Sequence, residues 1–409
     1  MYQLPSVCVC PSFNISYSLP EHTNTNVQYN PSLARYLTEI KHKMNHKERE
    51  WDIYKKYTNT YEYIHTAISH KKRSVSKYRP LSRSYFKMIE LIKQFDLCSF
   101  LGKKNIQSFH LAEGPGGFIE ATVNTRCNPE DKYIGMTLID AVFDARIPSW
   151  KKSDAFLNAN SMTVSIETGA DGTGDVMSID NFDYCLCKYG QQMDFITADG
   201  GFDFTSCFDE QEKITLPLIF AQTCFALSMQ KCGGNFVLKI FDIFHAATVD
   251  ILYLLSCAYT ETYICKPVTS RAGNSERYNV CKGFIPGKID IAKLREAFIH
   301  VMTSHVAVQR IFHGTNIPSL FIAKIEEYNA ILGQQQLDNI HQTLSLIDKY
   351  VKPEKIDQMT KQNIAKCITW CVKHNVPYNT ITTNIFTSSS DDYINNYTYN
   401  KYNYSATQL

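Results

Sequence analysis

Residues 108–121 read Ser-Phe-His-Leu-Ala-Glu-Gly-Pro-Gly-Gly-Phe-Ile-Glu-Ala. A short apolar run, residues 109–112, leads into Glu113 and then Gly114, Pro115, Gly116 and Gly117. From Phe118 the chain resumes in a helix-compatible pattern. Strand, glycine turn and helix in that order is how an α/β sheet brings backbone close to a ligand at the carboxyl end of a strand. A Cβ would block both the tight turn and the approach of the ligand. The spacing is not G-x-G-x-x-G, so the dinucleotide fingerprint is not met. By itself the stretch is also compatible with a plain structural turn.

Working outward, strands and helices alternate. The expected strands are residues 109–112, 133–138, 163–166, 195–198, 235–240, 262–265 and 277–281, and residues 216–229 and 246–258 form long apolar helical stretches between them. Alternation of this kind predicts an α/β fold: a Rossmann-like, parallel-type sheet with helices on both faces. This core covers about residues 80–285. Before it, residues 1–30 read as a loose arm, and residues 31–79 as helical and basic, with 33–40 one candidate helix. After it, residues 286–378 read as helices, for example 291–302 and 337–350, and residues 379–409 as a mobile polar tail.

Composition narrows the class. The chain has 409 residues, 44% of them hydrophobic and 20% charged, enough to bury a full core. A net charge of +2 supplies no global field for a polyanion, so any basic surface is local. One local candidate is the span from Lys71 to Lys87, which holds seven basic residues and no acidic one, interleaved with Tyr78, Tyr85 and Phe86. It suits a nucleic-acid strand, with Arg79 and Arg83 as contacts, and equally suits a solvated face. Within it, residues 82–95 carry the apolar spacing of an amphipathic helix. Fourteen cysteines are scattered without zinc-type spacing, so no metal is expected and reduced thiols in an intracellular protein are. No signal peptide and no eighteen-residue apolar run is present.

Four polar residues stand where the expected topology lets them converge. Asp199 ends the run Asp194-Phe-Ile-Thr-Ala-Asp199. Lys239 lies near the end of an otherwise apolar strand, where an unpaired lysine is costly. Lys87 lies in the basic helix, and Glu276 opens the strand 277–281. Each has a plainer reading: a turn residue, a snorkelling edge lysine, an exposed helical lysine, a surface partner for Arg271 or Arg277.

LSRSYFK, AEGPGGF, GTGD, ADGGF, GGNFVLK and TSRAGNSERY, in this order, resemble the FtsJ-like, S-adenosylmethionine-dependent RNA 2′-O-methyltransferases. The last three look closest to the cap-specific mRNA enzymes of eukaryotes and large DNA viruses. The resemblance implies a Lys-Asp-Lys-Glu catalytic tetrad on Lys87, Asp199, Lys239 and Glu276. It places the methionine and ribose parts of S-adenosylmethionine on Ala112, Glu113, Gly114, Pro115, Gly116, Gly117 and Phe118, and its adenine beside Asp175 and Val176. It puts Asn274 and Arg271 on the RNA. The expected reaction methylates the ribose of the first transcribed nucleotide of a capped RNA, with other capping or transcription proteins as compatible partners and the cytoplasm or nucleus as the compartment. Ribosomal or transfer RNA, the second nucleotide, and a silent RNA-binding subunit are the rival readings. No tetrad residue is missing, which argues against the silent one. Lys239 is the candidate general base if its neutral form is populated. Burial and Lys87 would lower its pKa while Asp199 and Glu276 would raise it. A charged Lys239 would instead steer the hydroxyl and stabilise a developing alkoxide. The sequence does not single out the aromatic side chains that would meet the cap guanine. Its Asn-, Tyr- and Ile-rich flanks suit a viral source.

Overall fold

The computed structural model describes residues 1–17, 28–44, 47–69, 71–98, 105–139, 144, 147–202, 210–349 and 351–381. The expected polar tail therefore falls almost wholly outside the described residues, as does part of the expected arm. In chain order the elements are β1 (Tyr2–Gln3), β2 (Ser16–Tyr17), α1 (Pro31–His42), α2 (Glu48–Thr58), α3 (Ser84–Phe95), β3 (Gln107–Leu111), α4 (Gly117–Arg126), β4 (Lys132–Met136), α5 (Asp154–Ala159), β5 (Val164–Glu167), α6 (Ile179–Tyr189), β6 (Met193–Ala198), α7 (Gln211–Met229), β7 (Gln230–Ile240), α8 (Ala246–Ala258), β8 (Tyr259–Cys265), β9 (Arg277–Phe284), α9 (Ile291–Thr303), β10 (Val308–Arg310), α10 (Ser319–Asp348) and α11 (Pro353–Lys373). Eight strands form one sheet in the order β1-β8-β9-β7-β6-β3-β4-β5, and β10 pairs with β2 separately.

β3 starts the parallel part and has β4 on one side and β6 on the other. The chain runs outward from β3 through β4 to β5, then crosses back to β6. The strand order thus reverses beside β3, at the carboxyl ends of β3 and β6, which is where ligands sit in open α/β sheets. The glycine stretch leaves β3 at that point and Asp199 leaves β6.

Side-chain alternation decides what faces each layer. Phe109 and Leu111 of β3, Ile196 and Ala198 of β6, and Phe236 and Leu238 of β7 enter the larger core with α6, α7, α8 and α9. Phe195 of β6, Val237 of β7, and Tyr278 and Val280 of β9 turn to the other face, into a core with α3, α4 and α11. Lys239 has the parity of Val237, so the strand itself aims it toward the α3 side.

The expected α/β sheet with helices on both faces is present, and three finer points differ from the expectation. Not every strand pair is parallel: β9 runs antiparallel to both β7 and β8, and β1 antiparallel to β8. Only an eleven-residue segment, 266–276, joins β8 to β9, and it holds no helix to make a crossover. The first residues are not loose, because Tyr2 and Gln3 extend the sheet and Leu4 is buried in the larger core. The helix expected at 337–350 is the second half of a single helix of 30 residues, α10, whose Phe321, Ile325, Tyr328 and Leu332 enter that same core.

Phe298 of α9 stacks on Phe182 of α6 at 4.5 Å between ring centroids and meets Phe225 of α7 edge-on, with no exposed surface of its own. Phe298→Ala leaves a ring-sized void between three helices and should cost about 3–5 kcal/mol of stability. Urea unfolding checks this; a loss below about 1 kcal/mol would show that the three helices do not share one core.

Candidate active site

The glycine stretch owes its shape to two close approaches. Gly116 has φ +108°, and a Cβ on Gly117 would lie 2.1 Å from Ser84 Oγ and 2.3 Å from Ser82 Oγ. Glycine there lets the start of α3 pack directly on the start of α4. Ala112, just before, holds a left-handed φ of 53°, strained for a residue with a Cβ. The peptide between Gly114 and Pro115 is cis. The Glu113 side chain points inward and is buried. It accepts the Thr197 hydroxyl proton, and Thr197 Oγ1 lies 2.7 Å from His110 Nδ1. His110 Nε2 is 3.0 Å from Ser108 Oγ. With Nδ1 carrying the proton, the chain Ser108–His110–Thr197–Glu113 pairs each group in turn. Burial pushes the Glu113 carboxyl up, against His110, which lowers it. Glu113, Gly116 and Gly117 are buried, while Ala112, Gly114 and Pro115 stay partly exposed.

Two neighbouring loops meet it. Thr137, past β4, accepts the Gly114 N–H at 3.3 Å, and a Cβ on Gly174 would lie 2.1 Å from the Thr137 carbonyl oxygen. The segment carrying Asp175 and Val176 is thereby seated next to the glycine stretch. Asp175 Oδ1 accepts the Met177 N–H at 2.8 Å, and Val176 is buried. On the other side, a Cβ on Gly200 would lie 3.1 Å from Ala112 Cβ, and one on Gly201 3.3 Å from Lys239 Nζ. The loops after β3 and β6 and the end of β7 therefore touch.

The four expected tetrad residues come together as two linked pairs. Lys87 Nζ lies 2.7 Å and 2.8 Å from the two Glu276 carboxylate oxygens. Lys239 Nζ donates to the Asp199 carbonyl oxygen at 2.7 Å and lies 3.4 Å from Asp199 Oδ1. Tyr278 joins the pairs. Its hydroxyl lies 3.0 Å from Asp199 Oδ1 and 3.2 Å from Glu276 Oε1, so one phenolic proton serves two carboxylates. In the sheet Tyr278 stands opposite Lys239, and its ring packs on Phe118 of α4 at 5.7 Å. Burial, then Asp199 and Glu276, push its phenol well up, so it stays a donor. Sequence reasoning missed Tyr278. Its signal was available: it lies two residues beyond Glu276 on a strand, hence on the same face.

Burial pushes the Glu276 carboxyl up, yet the ammonium groups of Lys87, Lys239 and Lys266 outweigh it and hold the group well below the usual carboxylate range. Lys266, a third amine the sequence did not flag, donates to Glu276 O at 2.8 Å, Asn274 O at 2.9 Å and Asn274 Oδ1 at 2.7 Å. It ties down the loop that leads into β9.

The expected RNA contacts divide. Arg271 grips Glu62 at two points, 2.8 and 3.1 Å, and Arg83 lies 3.7 Å from the same carboxylate while donating to Thr269 O at 3.2 Å. Both guanidiniums line a cavity of about 550 Å³ that also includes Lys266. Arg79 is exposed on a second cavity of about 520 Å³, beside Lys72 and Arg73 and sharing Arg83. Asn274 is exposed, with its carbonyl oxygen held by Lys266. The basic stretch is pinned: Val75 and Ser76 are buried and bond the backbone of Tyr63 and Ile64.

A doubly wound sheet with a glycine loop at its switch point and a buried amine–carboxylate cluster beside it defines an α/β enzyme of the methyltransferase type. Residues 80–284 match the FtsJ-like methyltransferase family, and the chain belongs to it. Relatives named cap-specific mRNA (nucleoside-2′-O-)-methyltransferase 2 are 28% identical over 72% of this chain in Drosophila melanogaster and 30% identical over 82% in Danio rerio. A cap-specific mRNA (nucleoside-2′-O-)-methyltransferase 1 of Mus musculus is 36% identical over 46% of this chain and 22% of its own length. The chain spans less than half the length of the first two relatives, 43% and 45%.

Glu62 supports a pH test. Burial pushes its carboxyl up, but the two-point bond from Arg271, the charges of Arg83 and Arg271, and the Thr66 hydroxyl hold it down at about 2. A depressed folded-state pKa stabilises above the unfolded value near 4.5, and that contribution fades as pH falls toward about 2. Glu62→Gln should cost about 3 kcal/mol at pH 7. The gap between variant and parent in urea unfolding should narrow by about half or more at pH 3; a constant gap would refute the assignment.

Proposed function

We propose that this chain transfers a methyl group from S-adenosylmethionine to the ribose 2′-hydroxyl of the first transcribed nucleotide at a capped mRNA 5′ end. The observation that carries this reading is the meeting of Lys87, Asp199, Lys239 and Glu276 beside the 112–118 loop. By their names, the relatives described above act on mRNA at a nucleoside 2′-oxygen in a cap-specific way.

The residues present fit the methyl donor. Ala112 in its strained conformation, the partly exposed backbone at Gly114 and the amino end of α4, which no side chain caps, suit the amino-acid portion, whose carboxylate favours a helix amino terminus. Asp175 can accept from the adenine amino group, with Val176 beneath it. When bound, S-adenosylmethionine supplies a methyl already activated by its positive sulfur. The chain's own task is to align the ribose oxygen and manage its proton, and alignment alone can supply several orders of magnitude.

Lys239 is held for that task by the Asp199 carbonyl and carboxylate. A ribose hydroxyl hydrogen-bonded to its Nζ has its oxygen fixed. A neutral Lys239 accepts the proton as the methyl bond forms; a charged one stabilises the oxygen while the proton leaves to water. Lys87 and Glu276 balance the charge on either side, and Tyr278 spaces the two carboxylates. The products are a 2′-O-methyl ribose, S-adenosylhomocysteine and a proton. Asn274, Arg271, Arg83 and Arg79 are the proposed RNA contacts, with the two guanidiniums on Glu62 facing phosphates.

Incubation with labelled S-adenosylmethionine and matched capped and uncapped RNAs, followed by nuclease digestion and mass spectrometry, tests the reading. Label on the first nucleotide of the capped RNA is expected. Label on the second nucleotide, or equal label on uncapped RNA, would redirect it. Lys239→Ala should lower kcat by roughly 10²–10⁴-fold while S-adenosylmethionine affinity stays within about twofold. Substantial residual turnover would remove Lys239 from its role. Tyr278→Phe keeps the ring on Phe118 but loses the shared proton; kcat should fall roughly tenfold and stability by about 1–3 kcal/mol. An unchanged kcat would reduce Tyr278 to packing.

A further inference from the structure

The peptide that joins Asp199 to Gly200 is held at both ends. Its carbonyl oxygen accepts from Lys239 Nζ at 2.7 Å, and its N–H donates to Gln222 Oε1 of α7 at 3.1 Å. A trans peptide points these two groups to opposite sides, so Lys239 and Gln222 face each other across it. We infer that Gln222 is a positioning residue for methyl transfer: through this one peptide it sets where the Lys239 amine stands. The inference rests on the role proposed above for Lys239 and adds the residue that fixes it.

Gln222 is a polar exception in its helix. Leu218, Ile219, Phe225 and Ala226 of α7 all enter the larger core, and Gln222 is wholly buried on the same helix. An apolar side chain would fill that place without the cost of desolvating an amide. The amide instead makes two bonds. Nε2 donates to Leu218 O at 3.0 Å, which leaves Oε1 as the end that meets the Gly200 N–H. Turning the amide over would set oxygen against oxygen and N–H against N–H, so its orientation is fixed.

Gly200 explains why the peptide needs holding. A Cβ there would lie 2.6 Å from Gln222 Oε1 and 3.1 Å from Ala112 Cβ, so the close approach requires glycine. Glycine also makes the preceding peptide easy to rotate: type I and type II turns differ by such a rotation, and the rotated form is tolerated where glycine follows. A rotated peptide would present its N–H to Lys239 in place of its oxygen. The bond to Gln222 opposes that rotation. It also polarises the peptide, which strengthens the carbonyl as an acceptor for the amine.

The consequence falls on the reacting atom. Lys239 Nζ also lies 3.4 Å from Asp199 Oδ1, so Asp199 takes two of the three directions open around the nitrogen. The third is left for the ribose oxygen, as an N–H when the amine is charged and as a lone pair when it is neutral. The Asp199 N–H is meanwhile tied to Leu111 O at 3.3 Å. β3, β7 and α7 therefore converge on two consecutive residues, and Gln222 is the contribution of α7.

Gln222→Met keeps the length of the side chain and loses both bonds. With capped RNA as substrate, kcat should fall roughly tenfold, while the RNA KM and the S-adenosylmethionine Kd stay within about twofold. Burial keeps the carboxyl of Gln222→Glu protonated, so it can donate to Leu218 O and accept from Gly200; at about pH 6 its kcat should return to within about threefold of the unaltered chain. An unchanged kcat in Gln222→Met, a loss confined to KM, or a Gln222→Glu variant no better than Gln222→Met would overturn the inference. Hydrogen exchange resolved to single residues needs no variant: in the unaltered chain the Gly200 N–H should exchange at least roughly tenfold more slowly than in a free peptide. Exchange at the free-peptide rate would also overturn the inference. Methyl transfer by the unaltered chain, matched by Gln222→Met, would refute the positioning role and leave the proposed reaction standing. Gly200 protection that depends on Gln222, in a chain that transfers no methyl, would keep the clamp and remove the reaction.

Discussion

The ion pair between Lys87 and Glu276 is what the rest of the site leans on. Each side chain is about nine-tenths buried, and a carboxylate in such a place survives only with its charge balanced. One amine is not sufficient, because Glu276 sits among three: Lys87, Lys239 and Lys266 all lower its pKa. Asp199 contributes the second negative charge next to Lys239. Burial brings the Lys266 ammonium down to about 7, so near neutral pH it adds only a partial positive charge to the cluster. Losing any member leaves a partner uncompensated, so these residues hold one another in place as much as they act.

Positioning of Glu276 depends on elements remote in sequence. Arg277, the next residue, is wholly buried and bonds Asn329 of α10 at 2.8 Å and Asp242 at 3.4 Å. Asn329 in turn donates to Ile243 O, and Asp242 also takes Lys41 of α1 at 3.1 Å. The start of β9 is therefore clamped between the turn after β7, the first helix and the longest one. Lys266 fastens the preceding loop from the other side. The terminal helices thus act as a frame around the strand that delivers the acid and its neighbouring tyrosine.

Much of the site could be read from sequence because its signals are local. A strand, three glycines and a helix mark the loop after β3 within fourteen residues, and an apolar strand with a lysine at its end marks Lys239. What resisted reading depends on pairing. Tyr278 acquires its role from register, being opposite Lys239 and two residues from Glu276, and register is not visible until β9 is known to be antiparallel. That direction could have been inferred: a helix links β7 to β8, but the stretch from β8 to β9 has no room for a crossover. The edge strand at Tyr2–Gln3 is too short to carry a period. Glu62 could not be matched to Arg271 from sequence, since 209 residues separate them.

Glu62 also changes what the basic stretch means. A loose cluster of arginines would pay conformational entropy each time it ordered around a phosphate. Here Arg271 is fixed through Nε and one terminal nitrogen, and Arg83 through Glu62 and the Thr269 carbonyl, before any ligand arrives. Guanidinium carries five donors, so each retains N–H groups beyond those already engaged. The carboxylate cancels one of the two charges, which lowers long-range attraction but leaves two oriented forks at the rim of the cavity. Such an arrangement favours register over raw affinity. On the proposed reading of Arg83 and Arg271 as RNA contacts, a few rigid cations in a chain of net charge +2 would discriminate better than a diffuse basic surface.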